Sequence, residues 1–148
     1  MGLFLEDFAP GMETVTPART VTEADVVAFS GLSGDFNPLH TDAAFAAKTP
    51  FKERIAHGAL GLSIATGLIS RTGQLDGTAL AFLGIDEWKF LGPIRFGDTI
   101  RVRSVVLEAR PSSSKPDSGV LKRRIEVLNQ RDEVVQAGVF AALVKRRG

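Results

Sequence analysis

The stretch HGALGLSIATGLIS, His57 to Ser70, contains no Asp, Glu, Lys or Arg. On a helical wheel, Ala59, Leu60, Leu62, Ile64, Ala65, Leu68 and Ile69 occupy every side, and a helix that is apolar all round must be buried. It falls well short of the ~20 residues that cross a bilayer, so the burial has to come from the protein itself. Gly58, Gly61 and Gly67 lower its helix propensity, which predicts that other backbone packs close against it.

What buries it follows in the sequence. Beyond Gly77 the chain reads as long strands. Leu80, Phe82, Trp88 and Phe90 alternate in one, and Ile100, Val102 and Val106 in the next. Leu121, Ile125 and Val127 mark a third; Val135, Ala137, Val139, Ala141 and Leu143 mark a fourth. Gly97-Asp98 is a turn, and RPSSSKPDSG, Arg110 to Gly119, is a polar hairpin loop. One apolar helix followed by four strands predicts an α+β fold, an antiparallel sheet wrapped around a central buried helix. So small a sheet leaves an edge, which predicts pairing of two copies as a homodimer.

Upstream, Thr14 to Val21 reads as a short strand rich in Thr and Val. Thr22, with Asp25 three residues on, has the spacing of a capping box and starts a helix. Val26, Val27 and Phe29 give that helix an apolar side, and Gly31 and Gly34 end it. Thr41-Asp42 caps a second short helix through Ala47, which Pro50 stops.

At 148 residues the chain fits one domain, 1–148. Its formal charge of +1 provides no global field for nucleic acid or an anionic membrane, and the basic Lys145-Arg146-Arg147 reads as a solvated terminus. With no cysteine there are no disulfides, thiolate nucleophiles or zinc ribbons. MGLFLEDFAPG resembles neither a signal peptide nor a myristoylation site, and the expected compartment is the cytoplasm.

Ahead of the apolar helix lies SGDFNPLH, Ser33 to His40, which places Asp35, Asn37 and one of only two histidines in a loop stiffened by Pro38. Asp, Asn, Gly and Pro are ordinary turn formers, so this stretch reads as a tight connection. An imidazole five residues from a carboxylate reads equally as an acid–base pair. Spacing alone leaves both open. Other chemistries fail by inspection. GLSGD misses the nucleophile elbow because Asp35 stands where a glycine is needed. No phosphate-binding glycine loop is present, and no calcium loop is in register. Two histidines 17 residues apart make a weak metal site, so no metal is expected.

The residues Phe29 to Ala46, FSGLSGDFNPLHTDAAFA, resemble the hydratase-2 signature of the MaoC-like dehydratases, which include the (R)-specific enoyl-CoA hydratases. Phe29, Leu32, Ser33, Gly34, Asp35, Asn37, Pro38, Leu39, His40 and Ala46 all satisfy it. RIAHGALGLSIATGLI resembles the opening of that family's central helix, and FLGIDEWKFLGPIRFGDTIRVRSVV its following strands. The resemblance implies a hot-dog fold, usually paired as a homodimer, with Asp35 and His40 as catalytic dyad and Asn37 shaping their loop. It also implies that Gly58 at the helix start supplies the oxyanion donor.

The implied reaction is reversible hydration of trans-2-enoyl thioesters to (R)-3-hydroxyacyl thioesters. The substrate is an acyl-CoA or an acyl-carrier-protein thioester; coenzyme A enters as part of it and no cofactor is expected. The residue types suit the task, because an imidazole can accept water's proton near neutral pH. A helix N-terminus can stabilise a developing enolate. His57 reads as a hydrogen-bonded residue holding the helix start, Ser63 and Thr66 as hydroxyls tolerated in a helix, and Lys48, Lys52 and Arg54 as a solvated face. Two alternatives compete. A hot-dog thioesterase usually carries an acid on or near the central helix, and Gly58 to Ser70 has none. A non-catalytic acyl-binding module would have no need of the dyad.

Overall fold

A computed structural model describes residues 2–148. After a single 3-10 turn, Leu5–Asp7, come β1 (Glu13–Val15), β2 (Arg19–Thr20), α1 (Glu23–Ser33), α2 (Pro38–Thr41) and α3 (Ala43–Ala46). The long elements follow: α4 (Gly58–Ser70), β3 (Ala79–Phe90), β4 (Thr99–Pro111), β5 (Ser118–Leu128) and β6 (Val134–Lys145). The sheet is antiparallel throughout, in the order β1-β4-β5-β6-β3, with β2 also paired to β4. With α4 laid across it, this is the hot-dog arrangement.

The helix is held by its inward residues. Leu60, Ile64, Ala65 and Leu68 pack against Ile100 and Val102 of β4, Ile125 and Val127 of β5, and Val135 and Phe140 of β6. Full burial of each large aliphatic side chain contributes about 1.5–3 kcal/mol. A second cluster, Leu5, Phe8, Val106, Leu121, Ala142 and Val144, seats the N-terminal segment on the other end of the sheet.

Several sequence readings need correcting. The helix is not covered all round: Ala59, Ser63, Thr66, Gly67 and Ser70 form an exposed stripe along it. Its glycines are approached by side chains, not by backbone. A Cβ at Gly61 would meet the Gln136 side chain at 2.3 Å and one at Gly58 would meet the Phe90 ring at 2.6 Å, whereas Gly67 faces open space. The expected strand Thr14–Val21 breaks into β1 and β2 around Pro17, which has no N–H for a ladder. Helix α1 runs through Gly31 and stops at Gly34, whose φ of 80° is the left-handed cap that glycine favours. The loop expected at Asn37–His40 contains a helical turn of its own, α2, and the short helix expected next is α3, capped by Asp42.

The β3 strand lies at the end of the sheet, bonded only to β6, and three register shifts interrupt its alternation. Leu80, Phe82, Leu83 and Phe90 stand exposed along it. No described helix is long and apolar enough to cross a membrane.

The capping box on α1 forms as the spacing predicts. Thr22 Oγ1 accepts from the Asp25 N–H at 3.3 Å, and the Asp25 carboxylate accepts from the Thr22 N–H at 2.9 Å. That amide bond, joined by the Thr22 hydroxyl and Arg19, holds the Asp25 carboxyl below its ordinary range. A depressed carboxyl stabilises the fold above its unfolded-state value and loses that contribution as pH falls through the folded value. Thr22→Ala leaves the amide bond to Asp25 but removes the hydroxyl that accepts from the Asp25 N–H and donates to its carboxylate, and should lower stability by about 1 kcal/mol at neutral pH. Urea melts of both proteins should show this difference shrinking as the pH is taken down through the acid range.

Candidate active site

The SGDFNPLH stretch is held by its own side chains. The Asp35 carboxylate accepts from the Asn37 N–H at 3.1 Å, and the Asn37 side-chain oxygen accepts from the Leu39 N–H at 3.0 Å. Asn37 is thus the N-cap of α2, and Pro38, at the first helical position, gives up a donor that no helix bond needs. Thr41 Oγ1 donates back to the carbonyls of Phe36 and Asn37 at 3.0 and 3.1 Å. These contacts turn the half-buried His40 ring toward the segment that leads into α4.

That segment is fixed from two sides. The Ala56 N–H donates to the Ile94 carbonyl at 2.8 Å, while His40 Nδ1 lies 2.7 Å from the Ile55 carbonyl oxygen. A carbonyl only accepts, so Nδ1 carries a proton, and in the neutral ring Nε2 is the nitrogen with the lone pair.

His57 joins loop to helix. It is 2% exposed and occupies the N-cap position of α4. Its Nε2 lies 3.0 Å from the Asp35 backbone carbonyl and 3.3 Å from Ser30 Oγ of α1. The ring stacks on His40 with centroids 3.8 Å apart and meets Phe29 edge-on at 4.9 Å. Asp35, His40 and His57 each bring one carboxylate oxygen or ring nitrogen to within 4.8 Å of the others. One nitrogen of each ring is held by a backbone carbonyl, which leaves His40 Nε2 and His57 Nδ1 as the remaining ring nitrogens of the trio. The arrangement suits proton transfer between an exposed carboxylate and a fixed imidazole.

Because His57 provides no side-chain cap, the leading N–H groups of α4 are left for another acceptor. They open on a cleft of about 630 Å³ whose walls include His40, Ile55, Gly58, Phe90, Pro93 and Gln136. The expected site residues Asp35, Asn37, His40 and Gly58 therefore meet around one helix start, with His40 and Gly58 on the cleft wall. Among the other candidates, Ser63 and Thr66 donate to carbonyls of their own helix at 2.8 and 2.7 Å. Arg54 is paired with Glu23 at 2.8 Å.

Two further residues escaped the sequence reading. Gln136 is buried on β6, where its Nε2 donates to the Gly58 carbonyl at 3.0 Å and its Oε1 accepts from Trp88 Nε1 at 3.3 Å. A glutamine inside the apolar VVQAGVFAALV run was the signal. Phe90, 60% exposed, lies over the helix start. Nothing in its alternation within β3 distinguished it.

A carboxylate and a fixed imidazole thus stand together at the open N-terminus of the central helix of a hot-dog fold. The MaoC like domain profile matches residues 7–127, and the chain belongs to that dehydratase family. It is 41% identical over 100 residues to protein MaoC of Klebsiella aerogenes, covering 68% of this chain and 29% of that one. It is 35% identical over 97 residues to the (R)-specific enoyl-CoA hydratase of Rhodospirillum rubrum, covering 66% and 65%. The match thus spans under two thirds of each of these relatives' lengths. The crystal structure of the MaoC-like dehydratase from Rhodospirillum rubrum superposes with a TM-score of 0.88 at 33% identity, over 99% of both chains.

The contact between Gly58 and Phe90 can be tested by stability alone. Alanine is favoured over glycine in a helix by roughly 0.5–1 kcal/mol. In the native background the clash with the Phe90 ring should cancel this gain; with Phe90→Ala present, Gly58→Ala should stabilise. A double-mutant cycle by urea denaturation reads the coupling, and strict additivity would remove Phe90 as the reason for glycine.

Proposed function

We infer that this protein catalyses reversible hydration of trans-2-enoyl thioesters, with coenzyme A as the foremost carrier, to (R)-3-hydroxyacyl thioesters. The observation that carries this reading is the grouping of Asp35 and His40 beside the uncapped start of α4. The relatives named hydratases and dehydratases support it at the level of the family.

In this reading the substrate's thioester oxygen faces the leading N–H groups of α4, at Gly58. Water attacks the β-carbon and gives a proton to the dyad, with His40 Nε2 as the acceptor that its tautomer leaves open. The π electrons move to form an enolate, whose negative oxygen is stabilised by the helix N–H groups and dipole. Protonation of the α-carbon from the dyad completes the addition, so one proton is taken up and one returned. His57 neither gives nor takes a proton; it holds the Asp35 carbonyl and underlies the His40 ring.

The exposed apolar edge of β3 and the exposed stripe of α4 support a homodimer. Sedimentation at micromolar concentration should give a dimer, and an active monomer would overturn that part of the reading.

Asp35→Asn keeps the shape of the side chain and removes its charge. Hydration of crotonyl-CoA, followed by loss of the enoyl-thioester absorbance, should fall by at least ~10²-fold in this variant. Its melting temperature should be unchanged. Activity at the native level would sink the dyad assignment, and release of free thiol in place of hydration would make the protein a thioesterase.

A further inference from the structure

Arg123 stands where the fold asks for an apolar side chain. The core-facing row of β5 reads Leu121, Arg123, Ile125, Val127, and Arg123 is only 5% exposed. Its cross-strand neighbours are Val106 and Phe140. Nη1 is buried without a hydrogen-bond partner, and no salt bridge among the described residues includes this guanidinium. An unpaired buried charge is costly enough that proteins rarely keep one without a use. Burial pushes its pKa below the ordinary arginine value.

A cavity of about 350 Å³ opens onto this side chain, walled by Thr66, Ile69 and Ser70 of α4, Phe82 of β3, and Phe140 and Ala142 of β6. Asp76, the one carboxylate on its wall, is exposed and makes no ion pair with Arg123. The catalytic cleft is built from the same three elements at the other end of the helix: Ala59 of α4, Phe90 of β3 and Gln136 of β6. Thr66 lies two turns beyond Ala59 on the same side of α4, about 10 Å along the axis at 1.5 Å per residue. The cleft and the cavity therefore lie one beyond the other along the same side of α4, both between it and the β3–β6 pair.

We propose that Arg123 recognises the far end of the acyl chain, and that the preferred substrate is a medium-length enoyl thioester bearing a terminal carboxylate. Phe82, Phe140 and Ile69 provide apolar walls for the methylene stem, and the guanidinium fork matches a carboxylate in a two-pronged ion pair. This substrate class rests on the hydratase reading, and the two can fail separately.

Calorimetric titration with suberoyl-CoA and octanoyl-CoA, both saturated and inert, reads recognition without chemistry. Suberoyl-CoA should bind about tenfold tighter or more, the scale of one hydrogen-bonded ion pair. Arg123→Met should erase the preference without lowering the melting temperature, because an apolar replacement of an unpaired buried charge is tolerated. Arg123→Lys, which keeps a cation, should retain part of the preference and covers the case in which the methionine variant melts early. Equal affinities in the native protein, or a preference that survives Arg123→Met, would overturn the proposal. Hydration assays with trans-2-octenoyl-CoA and 2-octenedioyl-CoA separate the two readings. Equal kcat/KM on both removes the carboxylate anchor and leaves the hydratase. Tight binding of suberoyl-CoA with neither compound hydrated removes the hydratase and leaves the anchor.

Discussion

The His57 ring joins three parts of the structure that are distant in sequence. It ends the segment that enters α4, bonds the Asp35 carbonyl of the loop after α1, and forms the floor on which the His40 ring lies. An imidazole suits this place because it combines a flat face for stacking with a polar edge that reaches backbone. Since the ring is spent on the loop, it does not cap its own helix, and the N–H groups of the first turn stay open. The same side chain thus positions Asp35 and His40 and leaves the N-terminal end of the helix free. Its Nδ1 remains buried without a partner.

Much of this was legible from the chain. Runs of apolar residues with period two or spread around a helical wheel reflect which side faces water, and the four long strands and α4 followed from that. Thr22 and Asp25 identified the start of α1 because the capping box uses side chains whose partners lie three residues away. Type and spacing left Asp35 and His40 open between a turn and an acid–base pair, and the family resemblance marked them with Asn37 and Gly58; in the fold Asp35 and His40 lie beside His57, and His40 and Gly58 share a cleft wall. What stayed hidden depends on partners distant in sequence. Phe90 over Gly58 and Gln136 under it are contacts across 32 and 78 residues, and no local pattern encodes them. The error over α4 has this origin only in part. A wheel does place Ser63, Thr66 and Ser70 on one side with Ala59 and Gly67, and counting apolar residues around it passed over that stripe of small and polar ones; that the sheet leaves this face open is what the wheel alone does not show.

That open face and the β3 edge belong together physically. An end strand offers unpaired backbone groups, and β3 adds exposed Leu80, Phe82, Leu83 and Phe90, with charge only at Asp86, Glu87 and Lys89 and no proline. Its register shifts against β6 twist the strand without covering it. A monomer with such an edge is prone to unwanted association, whereas a symmetric pair would satisfy both the edge and the stripe. Phe90 is part of this surface and also of the cleft wall, so the surroundings of the edge reach the helix start through a single ring.

The polar groups kept inside the fold fall into two kinds. Gln136 is satisfied at both ends, donating to Gly58 and accepting from Trp88, and in that condition a buried amide makes the local packing specific at little cost. Arg123 is not satisfied, although it lies one strand away in the same sheet and faces the same helix. A core built only for stability would place leucine or methionine there, continuing the row of Leu121, Ile125 and Val127. The difference separates a side chain that completes the fold from one whose partner must come from outside it. It also sets a direction along α4: a helix N-terminus that favours negative charge at one end, and a cation at the other.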